Sequence, residues 1–520
     1  MNTKIFLNSD NTLNVYSLFM KAKEIIKHIN KEFFKDQIET EKTLNGISEI
    51  LEDFFERENL DRTTEDVIKF LKEIWKHFSI GEYTDIFVDF ARAEKALYGF
   101  GESYRDHLMH VFNVHLLGLL AFSKMIEQGE NTIFKILKIR EESDKVPFPS
   151  RYTKHRRLYY LWCLVSTFHD IAIPIDYRGE VIKGLGRYFK YFRIEAEKFD
   201  LKFPFMTQFD IARYSDLMSR LFANGLSFHA SNRQPTYNMQ DGSSGSYVYF
   251  RSVLSSEINN YNHGVLGAYF LFRSIEEMFL TEKNPNLKYD LDLKGIVQNN
   301  KVIRLPKKKT EWDNFFRRRN IDEQELEMMP RVYDLDKGET KAYNDHVFEQ
   351  DVTRAALAIA LHNIDYGKYP KIFPLRFSKF PLTSFLIIFD ELQEFYRPEG
   401  LVLTEVVRCC KFPRIDIKIL NQGGPRVKVI ASFDLEEPEE AIEELINKYS
   451  KWAENRGERK VERIKSYGEL VHATWRHIFN ALSKKIAFED KEPLEIYVSV
   501  TVKGQNPDEK LLEYKSANWT

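Results

Sequence analysis

Two ionisable side chains stand side by side in the stretch LWCLVSTFHDIAIPID, where an apolar helical run carries His169 and Asp170 and stops near Pro174. Burying an imidazole and a carboxylate is costly unless something compensates them, and a divalent ion held between nitrogen and oxygen donors is a common compensation. Taken alone, the pair also reads as a capping aspartate beside a half-buried histidine. The pattern recurs, however. His107 and His110 lie in YRDHLMHVFNV, His263 in NHGVLGA, His362 in AIALHN and Asp390 in FLIIFDELQ. Each of these polar residues interrupts or abuts an apolar, helix-forming stretch, and the order is His, His-Asp, His, His, Asp. No cysteine stands among these candidate ligands. Neutral imidazoles with carboxylates suit iron, manganese and related divalent ions, whereas a soft-metal site would recruit thiolates. A pair of such ions can polarise phosphoryl oxygens, generate hydroxide at neutral pH and clamp the attacking and leaving oxygens in line.

The elements that must position these groups are helices. His107 and His110 are three residues apart and share one helical face, while His115 is rotated well away from His110. Gly264, Gly267 and Ala268 are small, which lets the helix beginning near His263 approach its neighbours closely. Asn363 and Glu391 each adjoin a candidate ligand and are placed to orient it. Downstream of His362, Lys368 and Arg376 are flexible cations after a helix end. They are candidate phosphate contacts, as is Arg105 before His107, although each also reads as an ordinary surface cation.

These five motifs, in this order across roughly residues 100 to 400, resemble the HD-domain superfamily of metal-dependent phosphohydrolases. The similarity is to its two-metal members, such as the HD-GYP cyclic-dinucleotide phosphodiesterases and the HD-fold diadenosine tetraphosphate hydrolases. The resemblance implies that Asp170 bridges two ions, with His110, His169 and Asp390 completing the first site and His263 and His362 holding the second. In many HD proteins the first ligand is followed by Val four residues later and a small residue eight later. Val114 and Gly118 give His110 that register, whereas His107 has only Val111. His107, one turn earlier, is then a general acid, a phosphate contact or a support for a ligand; a core histidine bonded to a carbonyl is the plainer reading. The implied activity is hydrolysis of a nucleotide or related phosphate ester or anhydride by a metal-activated hydroxide. The catalytic residues would be Asp170 and His107, and the cofactors two divalent ions, Fe or Mn first, with Mg, Co or Ni also admissible. Two rivals stay open. Some HD-fold proteins are di-iron oxygenases with the same six ligands, and others are nucleotide-binding sensors or scaffolds, against which the intact ligand set argues.

The rest of the chain bounds this expectation. At 520 residues it is too long for one ordinary domain. A 43% hydrophobic and 30% charged composition is that of a globular protein with a sizeable core, and a net charge of -2 exerts no global pull on nucleic acid or anionic membrane. The three cysteines form no disulfide framework or CxxC pair, which suits a reducing cytoplasm. No signal peptide is evident, and no apolar run is expected to reach the ~20 residues of a membrane span. The expected fold class is mainly α, divided into an N-terminal helical region (1–98), an HD helical core with insertions (99–412) and a small C-terminal α+β module (413–520). Ser227 to Ser256, with its Ser, Gly, Asn and Pro, reads as a loop containing His229, and residues 283–345 as a second irregular insertion. The Pro-containing connector from Arg140 reads as an exposed loop that includes His155. The basic run from Arg304 to Arg319, interleaved with Trp312, Phe315 and Phe316, reads first as a solvated face and only second as a nucleic-acid surface. After Arg414 the pattern alternates in two strands around Asn421–Gly424, passes through two helices, and ends in a third strand near Leu494. The expected partner is a phosphorylated small molecule, a nucleotide foremost, with no membrane; homo-oligomerisation is left open.

Overall fold

The computed structural model describes residues 67–69, 71, 87–90, 107–139, 154–176, 208–227, 243–283, 295–298, 301–304, 351–393, 414–420, 426–436, 442–455, 466–487, 494–503 and 509–515. Arg105, His229, nearly all of 1–98 and the basic run beyond Arg304 lie outside them. The described residues are mainly helical, as expected. Contacts group them into two compact units that alternate along the chain. One falls within Met1–Ser79, Phe87–Ile139 and Tyr366–Thr520, the other within Ile80–Ile86 and Arg140–Asp365.

The second unit is a helical assembly of α2 (Lys154–Phe168), the short α3 (Ile173–Asp176), α4 (Gln208–Ser227), α5 (Ser243–Asn259), α6 (His263–Lys283) and α7 (Thr353–His362). Helix α7, TRAALAIALH, is buried at nine of its ten positions, so it is apolar on all sides rather than along one stripe. It packs on α6, α4 and α2. A two-pronged ion pair joins its approach to α2: Arg157 Nε meets Asp351 Oδ2 at 2.5 Å and its terminal nitrogen meets Oδ1 at 3.0 Å, both side chains buried. Two glycines set the spacing of α6. A Cβ on Gly264 would lie 2.8 Å from the Asn363 Cβ, and one on Gly267 would lie 2.7 Å from the Phe168 carbonyl oxygen.

Of the loop expected over Ser227 to Ser256, residues 228–242 lie outside the described residues, and the remainder is helix instead. Ser243–Asn259 is a helix, whose buried Phe250, Val253, Leu254 and Glu257 fall at i, i+3, i+4 and i+7. The Ser and Gly residues that suggest a loop occupy its N-terminal turn. Its turn into α6 is tight. Tyr261 takes a left-handed conformation (φ 59°), and Asn262 Oδ1 then accepts a hydrogen bond from Val265 N at 3.1 Å, capping α6. The 283–345 segment is likewise less irregular than expected, since Gly295–Gln298 (β1) and Lys301–Arg304 (β2) form an antiparallel hairpin. His155, expected in an exposed loop, is half-buried in the first turn of α2.

The first unit is built on α1 (His107–Ile136), α8 (Pro381–Leu392), α9 (Ile442–Asn455) and α10 (Tyr467–Lys485). Helices α1 and α8 meet through Phe122, which makes edge contacts with Phe385 at 5.2 Å and Phe389 at 6.2 Å. Contacts run across residue 412. Leu375–Arg376 (β3) pairs in parallel with Ile486–Ala487 (β6), α10 packs on α8, and Lys485 Nζ meets Glu391 Oε1 at 3.1 Å. Ser466 caps α10 by accepting from Glu469 N at 3.3 Å, in the Ser-x-x-Glu spacing of a capping box.

The C-terminal sheet has four strands rather than the expected three, in the order β4-β5-β7-β8: Arg414–Leu420, Arg426–Glu436, Leu494–Lys503 and Glu509–Lys515. The pairing β5–β7 is parallel, and the other two are antiparallel. The fourth strand, EKLLEYK, carries charges at both ends and in the middle, as edge strands often do, which hides it from an alternation test.

Two stretches, His107–Gln128 (22 residues) and Arg157–Ile175 (19 residues), are long and apolar enough to cross a membrane, contrary to the expectation that none would be. They are 100% and 89% buried within the protein, so interior packing accounts for their composition.

Candidate metal centre

Three imidazoles of the helical unit converge on one carboxylate. His169 follows the last turn of α2, and its Nδ1 lies 2.8 Å from the Ser166 carbonyl oxygen. His362 is the final residue of α7, with Nδ1 2.5 Å from the Ile359 carbonyl oxygen. A carbonyl only accepts, so in both rings Nδ1 carries the proton and Nε2 keeps its lone pair. His263 opens α6, held there by the Asn262 cap. Asp170 sits in the turn between α2 and α3, where its own carbonyl accepts from Ile173 N at 3.0 Å.

The Nε2 atoms face Asp170. His263 and His362 approach its Oδ1 at 3.5 and 3.6 Å, and His169 approaches Oδ2 at 3.7 Å. These separations exceed an ordinary hydrogen bond. Two donors about 2.1 Å from one ion and about 90–110° apart are separated by roughly 3.0–3.4 Å, so the observed spacing is close to the edge of a coordination polyhedron. Ligand atoms of Asp170, His263 and His362 all lie within 4.8 Å of one another. His169, Asp170 and His362 are buried, and the His263 side chain is 16% exposed. An oxygen donor with imidazole nitrogen donors, those of His169 and His362 pinned through their far nitrogens, fits a divalent ion, and the described cluster could hold one. The donor set does not choose among Fe, Mn, Mg, Co and Ni.

The other unit holds a second pair. His110 Nε2 on α1 lies 2.9 Å from Asp390 Oδ1 on α8, and the His107 ring stands edge-on to that of His110 at 6.3 Å. Both histidines are buried. Deeper in α1, complete burial pushes the His115 pKa down to about 3, which keeps that imidazole neutral. Beside Asp390, Lys485 reaches in from α10. Burial works against its ammonium, but the carboxylates of Glu391 and Asp390 outweigh that and raise its pKa. The candidate phosphate contacts Lys368 and Arg376 are exposed in this unit, Lys368 with its Nζ 5.0 Å over the Tyr369 ring.

Two supporting residues escape a reading of the sequence. Asn262 carries an available signal, an Asn just ahead of a helix. Lys485 carries none, because its partner Glu391 lies 94 residues away. Comparison of the chain with protein-family models, curated proteins and solved structures gives no match.

Proposed function

We propose that this protein is a metal-dependent phosphohydrolase acting on a nucleotide or a related phosphate ester or anhydride. The observation that carries the reading is the division of one buried carboxylate between two sets of imidazoles. Asp170 turns Oδ1 toward His263 and His362 and Oδ2 toward His169. A carboxylate so divided suits a bridge between two cations. In this proposal His263 and His362 hold one ion with Asp170. The other would fall to Asp170 and His169. When bound, two divalent ions supply Lewis acidity toward phosphoryl oxygens and lower the pKa of water.

The protein's own groups orient and neutralise. The carbonyls of Ser166 and Ile359 fix the ring orientation of His169 and His362 and raise their basicity as donors. His107 is assigned proton transfer to the leaving oxygen, or a contact to the phosphate. Lys368 and Arg376 are assigned phosphate binding.

The test is elemental analysis of the purified protein, coupled to phosphate release across nucleotides, dinucleoside polyphosphates and cyclic nucleotides. Two metal equivalents with phosphate release are expected. Oxygen uptake without phosphate release, or a metal-free protein that binds no added ion, overturns the reading.

A further inference from the structure

We infer that Asn363 is a positioning residue: its side-chain amide decides which nitrogen of His263 carries the proton, and so whether His263 can hold an ion. The inference rests on the metal reading above. Its basis is an asymmetry among the three imidazoles around Asp170. Nδ1 of His169 and of His362 each meets a backbone carbonyl, which cannot become a donor. Nδ1 of His263 instead meets the Asn363 Nδ2 at 3.1 Å. With that NH₂ toward the ring, Nδ1 accepts and the ring proton belongs on Nε2. In that arrangement Nε2 faces Asp170 Oδ1, 3.5 Å away, as an N–H without a lone pair for a cation.

The amide has a second orientation. Turned over, it presents Oδ1 to the ring, accepts Nδ1–H, and leaves the Nε2 lone pair for an ion. The NH₂ and oxygen ends are nearly equal in size, so the turn needs no new space.

The neighbours of that amide are held by hydrogen bonds and close packing. The Asn363 backbone carbonyl accepts from Asn262 Nδ2 at 3.1 Å, and the same Asn262 side chain caps α6 and is held by Glu257 Oε2 at 3.1 Å. Gly264 gives the Asn363 Cβ its room, since a Cβ there would lie 2.8 Å from it. His169 and His362 are therefore preset as donors, whereas His263 becomes one only when the amide turns. An ion held by His263 bears the cost of that turn.

The test uses protein labelled with ¹⁵N-histidine, near pH 8 where imidazoles are neutral, with Zn²⁺ as a diamagnetic probe. Metal-free wild type should show His263 protonated at Nε2 and His169 and His362 at Nδ1, and Zn²⁺ should move the His263 proton to Nδ1. In N363D the carboxylate can only accept, so His263 should be protonated at Nδ1 before metal is added, and Zn²⁺ should bind more tightly. In N363L the partner is gone, and Zn²⁺ affinity should fall about 10- to 100-fold, the range typical of groups that support a metal ligand. The ring tautomer separates this role from a merely structural one, which would leave it unmoved. A metal-free wild type already protonated at His263 Nδ1 overturns the inference alone. So does unchanged Zn²⁺ binding in both variants. Wild type that binds no Zn²⁺ overturns the inference and the metal reading together.

Discussion

His169 and His362 are oriented by their own helices, each through the carbonyl three residues before it, Ser166 and Ile359. His110 is oriented by a side chain from a distant helix, Asp390 on α8. The first arrangement is local, so once the helix forms and is buried, ring and tautomer follow. The second exists only when two helices far apart in sequence have docked. Donors of the first kind should therefore persist through damage to distant packing, and those of the second kind should not.

The most severe way to break this comparison is to remove the carboxylate that the locally oriented donors surround. Asp170→Ala deletes the carboxylate faced by three imidazoles, and neutral rings cannot replace its charge. At least one metal equivalent should be lost, along with phosphate release, as measured by elemental analysis and turnover. Retention of both equivalents and full turnover would defeat the two-ion reading.

Next in size is the ion pair that anchors the start of α7. Arg157→Met leaves the buried Asp351 carboxylate to Arg354, 3.8 Å away, and the loss should be at most about 3–5 kcal/mol by chemical denaturation. His362 should keep its Nδ1–H tautomer in whatever fraction remains folded, because its carbonyl partner is within its own helix. A tautomer lost with the ion pair would show that the local argument fails.

Smaller still is Gly264→Ala. The added Cβ would lie 2.8 Å from the Asn363 Cβ and 3.1 Å from His362 Cε1, so the helix must shift. About 1–3 kcal/mol of stability should go. Metal affinity should fall while helix content by circular dichroism stays unchanged; unaltered affinity would show that the close approach of α6 is not what places His263.

At neutral pH the mildest effect is that of His115, which shows only in acid. Its pKa falls to about 3 in the folded protein against 6.5 ordinarily, so the unfolded chain binds the extra proton throughout that interval. Stability should rise with pH from about 3 to about 6.5 and then level off for this group. Replacing His115 with Leu should flatten that part of the stability profile, and an unchanged slope would assign it to other groups.

The sequence makes His169–Asp170, His263, His362 and Asp390 conspicuous because polar residues interrupting apolar helices are costly to bury. The β4–β5 hairpin is legible as well, through alternation on both sides of a Gly-containing turn. Helix α5 is misread because Ser and Gly signal loops wherever they cluster, although Phe250, Val253, Leu254 and Glu257 carry the helical period. Strand β8 is hidden by its charges. The partners of the donors divide in the same way. An i−3 carbonyl is implicit in any helix, whereas nothing near Glu391 announces Lys485, nor anything near Leu375 its pairing with Ile486.

That last tie has a consequence for biosynthesis. Helix α8, which carries Asp390, is secured by Lys485, and the strand just before it by Ile486 and Ala487. At roughly 5–20 residues per second, the ribosome needs about 5–20 s to make the 94 residues between Glu391 and Lys485. Until then, a nascent chain holds Asp390 on a helix that has α1 to pack against but not yet this second fastening.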